Sequence, residues 1–186
     1  MSRTAKYAPE AIERLRAGDL TLEEVGNPNR SVLYDEALVL IECLLSYPNA
    51  VKKLHLDFIG LKDNAGVALA KYVETSSTIE VLGIIHNDFS EKTFLAFAAA
   101  LKTNTSLKQF YITQPTLPDR CRVDAAFVAA LRINPNRPVG SRWWIWNTVT
   151  FGPTDFDQLK HKAELMGPFS MLERLCACDR ERKRMR

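Results

Sequence analysis

Three groups of residues have the types and spacing to do chemistry. His55 and Asp57 are two apart in a segment that alternates polar and apolar residues, so on a strand both lie on one face and could act as an acid–base pair. No nucleophile and no third orienting group accompanies them, which leaves polar surface as the simpler account. Asp157, His161 and Glu164 are spaced i, i+4, i+7 and would bring three potential metal ligands to one helix face. The same spacing describes a solvated face with ordinary ion pairing. Among the four cysteines, Cys43, Cys121, Cys176 and Cys178, only the last two are close. On a helix, residues two apart point about 200° apart, so that pair cannot share a metal there. Neither Gly-rich phosphate-binding pattern occurs. The expectation is a chain with no catalytic residue, no metal and no cofactor, and therefore not an enzyme.

Charge is concentrated in one place. The last eight residues hold five basic and two acidic side chains, which accounts for the whole formal net charge of +3. Arg180, Arg182, Lys183, Arg184 and Arg186 are the electrostatic contact candidates, able to attract phosphates or an acidic partner in a salt-dependent way. No nucleic-acid-binding motif accompanies this tail, so a solubilising tail explains it equally well.

The remaining composition is that of an ordinary soluble globular chain, with 46% hydrophobic and 25% charged residues in 186. No apolar run reaches the roughly 18–20 residues of a membrane span. The N-terminus lacks the apolar core of a secretory signal, and the cysteines form no disulfide framework. The expected setting is intracellular and cytoplasmic.

The elements that must position these residues come from one unit written twice, at 51–78 and again at 79–106, without a gap. Leu54 falls on Leu82, Leu56 on Ile84, Leu61 on Phe89, Leu69 on Phe97 and Val73 on Leu101. A period of this kind signals a solenoid, whose units bury apolar faces only against their neighbours. Each unit reads as a strand (Lys53–Asp57, Val81–Ile85), a loop and a helix (about Asp63–Glu74 and Ser90–Lys102), with Asp63 and Ser90 as expected N-caps. An earlier copy places its strand at Asp19–Glu23, with Leu20 and Leu22 matching Leu54 and Leu56. In its helix near Asp35–Ser46, Asp35, Ile41 and Leu45 match Asp63, Leu69 and Val73, so the turn-rich insertion Gly26–Ser31 is expected to enlarge its loop. A later copy begins at Leu107, has a proline-enlarged loop, and continues in a helix around Val123–Arg132. A short helix at Pro9–Ala17, stopped by Gly18, is expected to cap the open N-terminal end. Arg142–Phe151 reads as a final strand, followed by helices at 154–166 and Ser170–Cys178.

The pattern Val51-x-x-Leu54-x-Leu56 with Leu61, Leu69 and Val73, repeated as Ile79-x-x-Leu82-x-Ile84 with Asn87, Phe89, Phe97, Leu101 and Asn104, resembles leucine-rich repeats of the ribonuclease-inhibitor type. The resemblance is strong over 51–113 and weaker elsewhere in 19–136. It implies an α/β fold: a leucine-rich repeat solenoid bent into a horseshoe arc, with a parallel inner sheet, outer helices and about four units plus caps. The domain expected is single, with a helical cap at 1–18, repeats at 19–136, a strand-helix cap at 137–178 and the basic tail at 179–186. The family's turn asparagine is kept as Asn87 but replaced by Ile59 and Pro115, so no continuous asparagine ladder is expected.

In such an arc the residues beside the strand leucines face the concavity: Lys53, His55 and Asp57; Val81, Gly83 and Ile85; Gln109, Tyr111 and Thr113. With Trp143 from the aromatic strand these, Gly83 aside, are the protein-binding candidates, aromatic anchors being enriched at interface hot spots. Alternatively the tryptophans seal the last repeat. The function implied is a non-enzymatic module binding a partner protein through its concave face. The family supplies such scaffolds to immune receptors, actin-capping proteins, GTPase regulators and microbial effectors. A structural subunit of a nucleic-acid-containing assembly, held by the tail, is the alternative.

Overall fold

Leucines three and two apart cannot all be buried by one short strand alone; each needs a neighbouring strand beside it and a helix over it. The computed structural model describes residues 2–26, 33–113, 122–123, 126–127, 129–130, 134 and 143–146. Its elements alternate: β1 (Thr4–Ala5), α1 (Ala8–Arg16), β2 (Glu24–Val25), α2 (Tyr34–Ser46), β3 (Lys53–His55), α3 (Asp63–Thr75), β4 (Val81–Ile84), α4 (Glu91–Ala100), β5 (Gln109–Thr113) and β6 (Trp143–Trp146). The strands form a single sheet in the order β1 to β6, and every neighbouring pair is parallel. Parallel pairing requires a crossover between strands, and α1 to α4 supply it in turn. Helices also pack in sequence, α1 on α2, α2 on α3 and α3 on α4.

Register explains the apolar pattern. Ala5, Val25, Leu54, Leu82 and Phe110 are successive partners across the sheet, and all are buried. Leu56, Ile84 and Ile112 form a second buried row. Over them lie Leu69, Val73, Phe94, Phe97 and Leu101 from α3, α4 and the α4 end. Full burial of such a side chain stabilises by about 1.5–3 kcal/mol. Gly66 is small for a reason: a Cβ there would lie 2.5 Å from the buried Thr93 side chain of the next helix.

Two expectations are corrected here. The first copy's strand is not Asp19–Glu23. Glu24 pairs with Lys53 and Val25 with Leu54, which sets the true register of this unit. Leu22 is buried, whereas Leu20 is 59% exposed. The helix obeys the same offset, since Leu40, Ile41 and Leu44 are buried like Leu69, Ala70 and Val73, and Leu45 is 42% exposed. One register therefore serves strand and helix, and the expected enlargement of the loop disappears. The second correction is at the N-terminus, where Thr4–Ala5 adds a strand to the sheet ahead of α1. Gly18, at φ +69, ends α1 as expected.

Units are tied together by side chains that reach one repeat over. Asn87 Nδ2 donates to the carbonyls of Leu56 (2.9 Å) and Ile84 (3.0 Å), and its Oδ1 accepts from the amides of Leu61 (3.0 Å) and Ile59 (3.3 Å). Buried Asn104 does the same at the helix ends, donating to the carbonyls of Val73 (2.7 Å) and Ser76 (2.9 Å) and accepting from Leu107 (2.8 Å). Asn134 continues the series by donating to Leu101 and Asn104 carbonyls. Asparagine links between units are thus made at the helix ends by Asn104 and Asn134 as well as in the turn by Asn87.

Asp63 has a different part from the one its spacing suggests. Lys62 is the N-cap of α3, and the Asp63 carboxylate reaches the next unit, accepting from the Ser90 amide (2.9 Å), the Ser90 hydroxyl and the Thr93 hydroxyl (2.7 Å). Burial alone would raise its pKa. The hydrogen bonds from Ser90 and Thr93, with Lys92 nearby, outweigh that and hold the carboxyl below its usual range. Ser90 caps α4 as expected, accepting from the Lys92 amide.

Replacing Asn104 by Ala strips partners from buried backbone groups of two units and is expected to cost about 2–3 kcal/mol. A urea titration checks it: the midpoint should fall with an unchanged slope, whereas no shift would mean the links contribute nothing.

Candidate functional site

The face of the sheet turned from the helices carries the rows between the buried ones. One row runs Glu24, Lys53, Val81, Gln109, and the next runs His55, Gly83, Tyr111, Trp144. Lys53 and Gln109 are exposed, and His55, Val81, Ile85 and Tyr111 are half-buried. Lys53 Nζ lies 3.7 Å from the Glu24 carboxylate, and the Tyr111 hydroxyl donates to Gln109 Oε1 at 3.1 Å. These candidates are therefore brought together on one surface, as their alternation predicts. Thr113 ends β5 opposite Trp146. Trp143 pairs with Phe110, in the row whose members from Ala5 to Phe110 are buried; the tryptophans in register with Tyr111 and Thr113 are Trp144 and Trp146.

His55 and Asp57 are less exposed than polar surface. The Asp57 side chain is 6% exposed, and its Oδ1 accepts from the Ile85 amide at 2.7 Å, fastening the end of β4. His55 Nδ1 stands 3.9 Å from Asp57 Oδ2, too far for a hydrogen bond. Gly83 makes this arrangement possible, because a Cβ there would come within 2.9 Å of His55 Nδ1 and 3.0 Å of Asp57 Oδ2. Burial raises the Asp57 pKa, against the opposing pull of the Ile85 amide and the charges of His55 and His86. Asp57 thus does a structural job. Among the described residues no group of three His, Cys, Asp or Glu is placed to hold a metal ion.

At the ends of β3 and β4 stands a feature with no obvious signature in the chain. Phe58 (φ 60) and His86 (φ 52) both adopt the left-handed conformation, and their rings stack with centroids 4.4 Å apart and planes at 20°. They occupy equivalent places in the two regular units, so the repeat makes them neighbours, yet neither is the Gly or Asn that would advertise such a backbone. A second missed feature lies at the opposite end of the strands. Arg3, Glu23, Lys52, Glu80 and Lys108 alternate in charge at the position before each of β1 to β5, with ion pairs Arg3–Glu23 (3.5 Å), Lys52–Glu23 (2.9 Å) and Lys108–Glu80 (2.9 Å). Their alternation becomes visible once the register is known.

The basic residues Arg180, Arg182, Lys183, Arg184 and Arg186, the set Asp157, His161 and Glu164, Cys121, Cys176, Cys178 and the helices expected at 154–166 and Ser170–Cys178 lie outside the described residues. Among the described residues no helix is long and apolar enough to cross a membrane.

Among solved structures, the chain is similar to the C-terminal domain of tropomodulin from Caenorhabditis elegans, with a TM-score of 0.63, 17% identity, and coverage of 96% of this chain and 99% of that one. It is similar to the same degree to actin-binding site 2 of leiomodin-1, with a TM-score of 0.63, 19% identity, and coverage of 95% and 96%. The chain has their fold. The leucine-rich-repeat resemblance accordingly holds at the level of architecture, an α/β arrangement of parallel strands and covering helices. No protein-family model and no curated protein matches the chain.

Asp57 gives a test. Its raised pKa means that the ionised carboxylate costs the fold stability above that pKa, a cost relieved as pH falls through it toward the ordinary 3.8. Asp57→Asn, which keeps an acceptor for Ile85, should be at least as stable as wild type at pH 7, and its advantage should shrink on acidification. Asp57→Ala should lose about 1–3 kcal/mol, because the Ile85 amide is left unpaired, and its deficit against wild type should grow on acidification as the wild-type carboxyl is neutralised. Thermal melts between pH 4 and 7 read both; equal effects of the two substitutions would refute the assignment.

Proposed function

We infer that the chain is a non-enzymatic protein-binding module and that its partner is actin. The observation that supports this reading most is the end-to-end correspondence with a leiomodin-1 domain that is named as an actin-binding site. The correspondence spans nearly all of both chains, so what it suggests concerns the whole unit. The sheet face turned from the helices offers the contact surface, combining Lys53 with the apolar Val81, Ile85 and Tyr111. The finer architecture we propose is a horseshoe arc of about four ribonuclease-inhibitor-type units plus caps, favoured by the near-constant offset from Val25 to Leu54 to Leu82 and by Asn87. The proposal that it is non-enzymatic is supported by the chemistry of the described residues: His55 and Asp57 stand 3.9 Å apart on the face, and the Asp57 carboxylate is committed to the Ile85 amide. An intracellular location follows from the proposed partner. No observation favours the nucleic-acid alternative.

Co-sedimentation with actin filaments tests the reading, with saturable pelleting expected for the full chain. Tyr111→Ala and Ile85→Asp should weaken it by about fivefold or more, in keeping with hot-spot losses above about 1 kcal/mol. Deleting 180–186 should leave it intact. Absence of pelleting by the full chain would exclude actin as the partner.

A further inference from the structure

A bulky aromatic residue at φ 60 is held against its own preference, because the left-handed region costs a side chain with a Cβ and is left to Gly, Asn or Asp in most turns. Nothing in the packing of the turn demands a ring at Phe58, whose side chain is outside the core and 57% exposed. Strain of this kind with no gain in burial points to a role at the surface. The ring is also pre-ordered: one face stacks on His86, and the turn beneath is fastened by the Phe58 amide to the Ile85 carbonyl (3.0 Å) and by Asn87 to Ile59 and Leu61. A rigid, exposed aromatic has little conformational freedom left to lose on binding.

The charge beside it selects the ligand. Asp88 is exposed and, among the described residues, its carboxylate has no hydrogen bond or ion pair. It stands over Gly60, where a Cβ would be 3.8 Å from Asp88 Oδ2, and the Asp88 amide is tied to the Leu61 carbonyl at 2.8 Å. An ordered ring face and an unpaired carboxylate on adjoining turns suit a planar cation, which can lie on the ring and donate in parallel to the carboxylate oxygens. A lysine ammonium is a compact, strongly hydrated charge and fits less well.

We propose that Phe58, His86 and Asp88 form a ledge at the ends of β3 and β4 that docks an arginine side chain of the partner protein. The proposal rests on the protein-binding reading and names the chemistry of one contact within it. Two measurements test it, the first of which needs no partner. Titrating the chain with the blocked tripeptide acetyl-Gly-Arg-Gly-amide, followed by two-dimensional NMR, should give saturable shifts centred on Phe58, Gly60, His86 and Asp88. The Lys tripeptide should bind more weakly, and Phe58→Asn and Asp88→Asn should abolish the response. Dispersed shifts, or shifts unchanged in both variants, overturn the ledge. Phe58→Asn relieves the backbone, so its melting temperature should equal or exceed that of wild type; a clear fall would show the ring to be structural and also overturn it. In actin co-sedimentation Phe58→Asn should lower affinity about thirtyfold, the size expected for losing a desolvated cation–ring contact. If wild type and Phe58→Asn pellet equally, the ledge fails while the actin reading stands; if neither pellets, the actin reading fails and the NMR titration decides the ledge.

Discussion

Every unit of this protein depends on hydrogen bonds made by the unit next to it. A short parallel strand, followed by a loop and a helix, leaves backbone carbonyls and amides unpaired at both helix ends and in the turn. Asn87 closes that deficit between the turns at 56–61 and 84–85, Asn104 closes it between the ends of α3 and α4, and Asp63 supplies the acceptor for the start of α4. Leaving such groups unpaired in a buried site costs about as much as a lost core contact. The leucines make the stack favourable, and these links set its spacing.

The same spacing creates the surfaces. A nearly constant register brings Lys53 beside Val81 and Gln109, and His55 beside Gly83 and Tyr111, so side chains far apart in the chain become one face. It also brings two turns so close that Phe58 and His86 stack. Glycine at position 83 keeps room for the His55 and Asp57 side chains, the second of which accepts from the Ile85 amide and holds the end of β4. The alternating charges before β1 to β5 are exposed or half-buried, and such pairs are individually weak. Their repulsive alternatives, with like charges side by side after a slip of one unit, make them useful in fixing which strand follows which.

Where sequence reading misses, the cause is physical. The first copy is displaced because Leu20 and Leu22 imitate the Leu54 and Leu56 spacing, and alternation alone cannot tell which of two adjacent apolar pairs faces a helix. Pairing of Glu24 with Lys53 decides it, leaving Leu20 in solvent. Asp63 reads as a local cap because capping is a local rule, whereas its acceptor atoms satisfy the start of the following helix, at Ser90. The turn conformation of Phe58 carries no composition signal, and that of His86 only histidine's modest preference for the left-handed region.

By itself the sequence determined the repeat, the alternation of strand and helix, the buried rows Leu54–Leu82–Phe110 and Leu56–Ile84–Ile112, and which residues lie on the opposite face between them, because period and burial follow from the order of apolar side chains. Only the tertiary structure decided the register of the first unit, the strand at Thr4–Ala5, the reach of Asp63 and Asn104 into neighbouring units, and the stacked pair at the strand ends. Each of those depends on which residues of one unit meet which residues of the next, from Thr4 against Glu24 to Asn104 against Val73, and that matching is set by the stack as a whole.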